Sequence, residues 1–97
     1  MIYSATKGAI SAMTLPMARD LGPKKIRVMT IAPGMFDTPM NDSIPAEMKK
    51  QLFSFAVPLG IEGKPEWFAL SVRDVIENSY ATGSVWRLDG GIRVPNL

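Results

Sequence analysis

The sequence predicts an α/β fold, and three observations carry that prediction. Residues 26–32 (IRVMTIA) form a short, nearly continuous apolar run, which suits a strand buried on both faces of a parallel sheet. Helical spacing of apolar residues marks the segments on either side of it. The resulting order is helix-strand-helix-helix-strand, and a helix that feeds directly into a strand is the αβ half of a βαβ unit. Two parallel strands do not make a sheet covered on both faces, so the pattern predicts an incomplete piece of a larger sheet.

The first helix is expected over residues 3–21. Ala5, Ala9, Ala12 and Met13 form a stripe of mostly small residues, continued by Leu15, Met17 and Ala18. Gly22 followed by Pro23 is a stop signal. Pro16 opposes this helix because it lacks an amide donor and crowds the preceding turn, so a kink near Met13 is expected. The first strand follows at 26–32 and ends at Pro33-Gly34. A second, amphipathic helix is expected over residues 43–56, with Ile44, Met48, Leu52 and Phe55 on one face and Lys49 and Lys50 opposite. Pro45 suits its first turn, and Glu47 suits the positive end of the helix dipole. Residues 58–64 read as a turn-rich link. A third helix over residues 65–78 repeats Phe68, Ala69, Val72, Val75 and Ile76 at helical spacing. After the Thr82-Gly83 turn, residues 84–88 read as the second strand, and Asp89-Gly90-Gly91 as a loop.

Composition narrows the chemistry. The 97 residues are 46% hydrophobic and 21% charged, as in ordinary globular proteins, and argue against disorder. A net charge of +2 with scattered lysines and arginines lacks the dense basic stripe of a nucleic-acid surface. The absence of cysteine excludes disulfides and thiol chemistry, and the absence of histidine excludes a Ser-His-Asp triad and the common zinc sites. Acid–base work would fall to Tyr, Lys, Asp or Glu. No apolar run of about 18 residues is present, and the first residues do not read as a signal peptide.

One pair stands out. Tyr3 and Lys7, in YSATK, lie four residues apart and so share one helical face. A free phenol titrates near ~10, too high for proton exchange at neutral pH, and a neighbouring ammonium stabilises the phenolate. A phenol tuned in this way can exchange a proton with an alcohol or carbonyl oxygen. The same spacing also fits an exposed Tyr lying on a Lys stem, with no chemistry attached.

Four stretches in order turn the pair into a resemblance: Tyr3-Ser4-Ala5-Thr6-Lys7-Gly8, then Ile26-Arg27-Val28 leading to Ala32-Pro33-Gly34, then Thr38-Pro39, and last Leu88-Asp89-Gly90-Gly91. Together they make the chain resemble the short-chain dehydrogenase/reductase family over nearly its whole length. Within the family, the stretch from Met13 to Leu21 with its Pro16, and the stretch from Arg27 to Phe36 with Met29 where Asn is commoner, resemble the members that oxidise 3-hydroxyacyl-CoA.

The resemblance implies a C-terminal part of a Rossmann-like doubly wound parallel sheet: a single partial domain over 1–97, with a lid-like insertion at about 40–60. It implies Tyr3 as general acid/base and Lys7 as the residue that binds the nicotinamide ribose and lowers the Tyr pKa. Pro33, Gly34, Phe36 and Thr38 would line the nicotinamide end, where a glycine permits close backbone approach and a strand's carboxyl end meets ligand. The implied cofactor is NAD. The implied reaction is oxidation of a 3-hydroxyacyl-CoA or similar secondary alcohol; an NADP-dependent oxoacyl reductase and a non-catalytic interaction fragment stay open beside it. The implied partners are a small acyl-CoA or steroid-like substrate and further copies in a homo-oligomer, with no nucleic acid and no membrane. The compartment would be mitochondrial by resemblance and otherwise cytoplasmic.

Other residues keep two readings each. The helix carrying Met48 and Phe55 is a substrate lid or an ordinary core helix. Gly90 and Gly91 serve a site or a plain turn. Lys49, Lys50 and Lys64 meet CoA phosphates or stay solvated. Trp67, Tyr80 and Trp86 suit packing or subunit contacts. The chain also departs from the family. It has no glycine-rich pyrophosphate turn, and it lacks the family's serine and asparagine that precede Tyr3. Ile61 stands where Arg is usual. These departures predict that the 97 residues alone do not turn over substrate, and that they are unstable, swap into oligomers or need the rest of the fold.

Overall fold

The computed structural model describes residues 1–94. Helix α1 spans Ile2–Leu21 and continues through Pro16 without interruption. Strand β1 is Thr30–Pro33, helix α2 is Ala46–Ala56, helix α3 is Pro65–Glu77 and strand β2 is Val85–Leu88. Short 3-10 turns at Gly22–Lys24 and Pro39–Asn41 complete the order. Strands β1 and β2 pair with each other. The Thr30 amide donates to the Ser84 carbonyl at 3.1 Å and the Gly34 amide to the Leu88 carbonyl at 2.9 Å. Both partners advance by four residues, so the pairing is parallel.

The described residues group into two compact units. The first comprises Met1–Ala32 and Val72–Trp86. Its interior is small: Thr14 and Ala18 of α1 are buried. Gly83 adopts a left-handed conformation with φ 79°, and a Cβ there would meet the Leu15 side chain at 3.1 Å.

One expectation needs correction in this unit. The first strand is Thr30–Pro33, not 26–32. The backbone of Val28 is instead held by the turn opposite: its amide donates to the Thr82 hydroxyl at 3.0 Å, and its carbonyl accepts from the Gly83 amide at 2.7 Å. The expected burial on both faces is not met either: Ile26 is 49% exposed and residues 27–32 are half-buried. Helix α1 does stop at Leu21, before Gly22-Pro23, as expected. The φ of Gly22 is −56°, the chain tightens into a 3-10 turn, and Lys25 takes the left-handed conformation at φ 62°.

The second unit comprises Pro33–Ser71 and the residues from Arg87 on. Its core is Phe53, Ala56 and Val57 with Ser71. Helix α2 starts at Ala46 rather than residue 43, because Pro45 is held extended at ψ 141°. The buried face of α2 also differs from the expected one. Phe53 and Ala56 point inward, whereas Met48 and Phe55 are 61% and 60% exposed. Beyond β1, Phe36 and Gly63 form a parallel bridge, with the Gly63 amide on the Met35 carbonyl at 2.9 Å and the Asp37 amide on the Gly63 carbonyl at 2.8 Å. The turn-rich link at 58–64 thus extends the hydrogen bonding of the chain that leaves β1.

Candidate active site

In the first unit, α1 carries Tyr3 and Lys7 on one face. The Lys7 ammonium lies 5.7 Å from the centre of the Tyr3 ring, within the range of a cation–π contact. Tyr3 is 72% exposed, so its phenol is open to a reacting partner. The helix beneath the pair is regular: the Thr6 hydroxyl returns to the Tyr3 carbonyl at 2.8 Å, and the Ala5 amide reaches the Met1 carbonyl at 3.0 Å. An i, i+4 pair on such a turn brings the phenol and the ammonium together without a loop.

In the second unit, Pro33, Gly34, Phe36 and Thr38 line one cavity of about 330 Å³, together with Met40 and Phe68. Several contacts surround the turn that carries them. The Phe36 ring meets Phe68 edge-on at 5.8 Å and 84°. A Cβ on Gly63 would lie 2.8 Å from the Phe36 ring, so the glycine leaves the space the ring fills. The Asn41 side-chain amide donates to the Phe36 carbonyl at 2.6 Å, and the Asn41 amide donates to the Thr38 carbonyl at 2.9 Å. Gly34 makes a close approach, but to protein: a Cβ there would fall 2.6 Å from the Asp89 Cβ and 2.7 Å from its Cα. The space behind Gly34 belongs to the loop after β2.

That loop is an ionic hub, which neither reading of Gly90 and Gly91, a site or a plain turn, includes. Asp89 accepts from Arg87 Nη2 at 2.6 Å and Nε at 2.9 Å, accepts from the Gly91 amide at 3.0 Å, and lies 3.7 Å from Arg93. The Arg87 hydrogen bond, chiefly, holds its carboxyl below the usual carboxylate range; the Gly91 amide and the two guanidinium charges act the same way, against partial burial. A second, apolar cavity of about 130 Å³ lies between Phe53 and Val57 on one side and Phe36 and Trp67 on another. Phe36 lines both cavities and partitions them.

The lysines offered as phosphate ligands are partly engaged within the chain. Lys49 pairs with Glu62 at 3.5 Å, and Lys64 lies 5.5 Å from the centre of the Trp67 ring. Arg27, noted before only as part of a motif, donates to the Val75, Ile76 and Ala81 carbonyls at 2.6, 2.9 and 3.0 Å. It therefore caps the negative end of α3. Among the described residues no cluster of acidic side chains is arranged to hold a metal ion, and no helix is long and apolar enough to cross a membrane.

Comparison with known proteins bears on the fold and the family. The family described as Enoyl-(Acyl carrier protein) reductase matches residues 1–93. The 3-hydroxyacyl-CoA dehydrogenase type-2 of Bos taurus is 52% identical over 95% of this chain and 35% of its own length. The 3-oxoacyl-[acyl-carrier-protein] reductase FabG of Thermotoga maritima is 38% identical over 93% of this chain and 37% of its own. The crystal structure of 3-hydroxyacyl-CoA dehydrogenase type-2 from Mycobacterium avium superposes with a TM-score of 0.88 at 35% identity, covering 96% of this chain and 36% of that one. The chain thus spans little more than a third of the length of these relatives. Helices around a parallel strand pair, superposing on a solved structure of the family, make a partial α/β Rossmann fold, and the chain belongs to the short-chain dehydrogenase/reductase family.

Proposed function

We propose that these residues form the proton-transfer and nicotinamide-binding part of an NAD-dependent oxidoreductase that interconverts a 3-hydroxyacyl-CoA, or a similar secondary alcohol, and its ketone. The observation that carries the proposal is the Lys7 ammonium 5.7 Å from the Tyr3 ring, on a chain 52% identical to a protein named for that reaction. Tyr3 takes the hydroxyl proton in the oxidising direction and returns it in reduction. Lys7 holds positive charge beside the phenol and offers three donors to the hydroxyls of a ribose. A bound nicotinamide supplies the hydride acceptor at the alcohol carbon.

The residues present fit such a group. The cavity past β1 has the ring of Phe36 and the flat face of Pro33 for a planar heterocycle, and the Thr38 side chain for a polar substituent. Helix α2 serves as a lid, part of an insertion at about 40–60, and its exposed Met48 and Phe55 suit an acyl chain or a steroid. The compartment proposed from the relatives is the mitochondrion. Further copies of the full protein are the proposed partners, which the exposed Ile10, Met13 and Met17 of α1 support.

Because no glycine-rich pyrophosphate turn occurs in the 97 residues, we propose that they do not turn over substrate alone. The test is to graft residues 1–93 into the Bos taurus relative in place of the matching segment and to follow NADH formation from 3-hydroxybutyryl-CoA. The graft should be active, the 97-residue chain silent, and Tyr3→Phe in the graft silent. Two alternatives have their own support. The Thermotoga relative, named as an oxoacyl reductase, favours an NADP-dependent reductase fragment, seen as faster turnover of 3-oxoacyl thioesters with NADPH. The exposed apolar side chains of α1 favour an interaction fragment, seen as capture of a full-length homologue without turnover.

A further inference from the structure

The turn proposed to face the nicotinamide does not hold itself in place. Gly34 is fixed from behind by the last residue of β2 and the one after it: its amide donates to the Leu88 carbonyl at 2.9 Å, and its missing Cβ would fall 2.6 Å from the Asp89 Cβ. The position of the Asp89 backbone therefore determines the position of Gly34.

Asp89 in turn is fixed by its carboxylate. Only 11% of that side chain is exposed, against 53% for Arg87 and 67% for Arg93, so the carboxylate is the buried centre and the arginines its outer ring. One oxygen takes both Arg87 donors, and the other takes the Gly91 amide, a bond that closes a tight turn on the following two residues. Gly90 and Gly91 follow at φ 60° and 80°, and their missing Cβ atoms would meet Val57 and Pro58 at 3.1 and 3.2 Å. The Arg93 amide then donates to the Ala56 carbonyl at 2.9 Å at the end of α2. The loop is thus seated between the Gly34 turn and the end of the proposed lid, and Asp89 is the side chain that folds it.

We infer that Asp89 is a positioning residue, whose carboxylate, clamped by Arg87, Arg93 and the Gly91 amide, holds the Gly34 turn in the shape the cofactor cavity needs. The claim about the clamp stands on geometry alone; its consequence for cofactor rests on the nicotinamide reading above. Charge-assisted bonds around a largely buried carboxylate are the stronger kind, and their loss is felt first in the backbone they order.

Hydrogen exchange of the graft that carries residues 1–93, read by mass spectrometry, tests the clamp without turnover. Asp89→Ala should speed exchange of the Gly34 amide by about ten-fold or more while the Thr30 amide and the amides around Ala18 keep their rates. Asp89→Asn keeps an acceptor for the Gly91 amide but loses the charge, and should give an intermediate, equally local change. If Asp89→Ala unfolds the graft, Asp89→Asn decides. Unchanged Gly34 exchange in the variants, a rise spread evenly over both units, or a Gly34 amide already unprotected in the parent graft would each overturn the clamp. In the graft, nicotinamide mononucleotide binding should weaken in Asp89→Asn. Equal binding by graft and variant removes the consequence for cofactor, whereas no binding by the graft itself removes the nicotinamide reading and leaves the exchange result to judge Asp89.

Discussion

The hydroxyls of Thr14 and Thr30 meet at 2.6 Å, and this contact ties the helix that carries Tyr3 and Lys7 to the first strand. Thr14 is only 2% exposed. Its hydroxyl also reaches the Ile10 carbonyl at 3.1 Å. A hydroxyl has one proton, so if Thr14 spends it on Ile10, Thr30 is the donor between the two.

Thr14→Val should leave the Thr30 hydroxyl without its partner and destabilise the chain by about 1–3 kcal/mol. Replacing both threonines by valine removes the orphaned group as well, and should cost less than the sum of the two single changes. Urea melts of the four proteins form a double-mutant cycle, and strict additivity would show that the contact carries no coupling.

Arg27 should not tolerate Lys. Its planar guanidinium reaches three carbonyls at and beyond the end of α3, and one ammonium on a flexible stem cannot reproduce that fork. Arg27→Lys is expected to lower stability by roughly 1–3 kcal/mol and to speed amide exchange in the last turn of α3. A melt superimposable on that of the parent chain would count against this cap.

Arg27 also marks the limit of what could be read in the sequence. The existence and order of α1, α2, α3, β1 and β2 follow from local apolar spacing, and so does the shared face of Tyr3 and Lys7. The grouping of Pro33, Gly34, Phe36 and Thr38 was legible only through the family resemblance. What was not legible depends on distant partners. Arg27 acts on carbonyls about fifty residues on, and a carbonyl leaves no mark in the sequence. Phe53 rather than Phe55 is buried, because the rotation of α2 is set by what it packs on and not by its own spacing. The strand was read too long because Ile26, Val28 and Met29 are apolar although the backbone of Val28 is held by a turn.

Gly63→Ala should disturb Phe36 more than the backbone around residue 63. The new methyl would lie 2.8 Å from the Phe36 ring, which must leave its edge contact with Phe68. Overpacking of this kind typically costs about 1–3 kcal/mol. Phe36 ring resonances in an NMR spectrum should shift, and unshifted resonances would contradict the packing described.

Acid should weaken the loop after β2 late rather than early. Arg87, with Gly91 and Arg93, holds Asp89 below its ordinary value of 3.8 in the folded chain. Between that ordinary value and the lower folded one the unfolded chain binds more protons, so stability rises with pH there. The contribution is present above the ordinary value and lost as pH falls through the folded one. Urea midpoints of the parent chain should therefore fall more steeply below pH 3.8 than those of Asp89→Asn. Parallel curves would show that the carboxylate contributes nothing through its ionisation.

The most direct test of the whole account is the rate of NADH formation by the graft that carries residues 1–93, with and without Tyr3→Phe. Loss of a general acid/base should slow turnover by about a hundred-fold or more, with cofactor binding kept. A graft that binds NAD and turns over equally fast without the Tyr3 hydroxyl would contradict the role assigned to Tyr3 and Lys7.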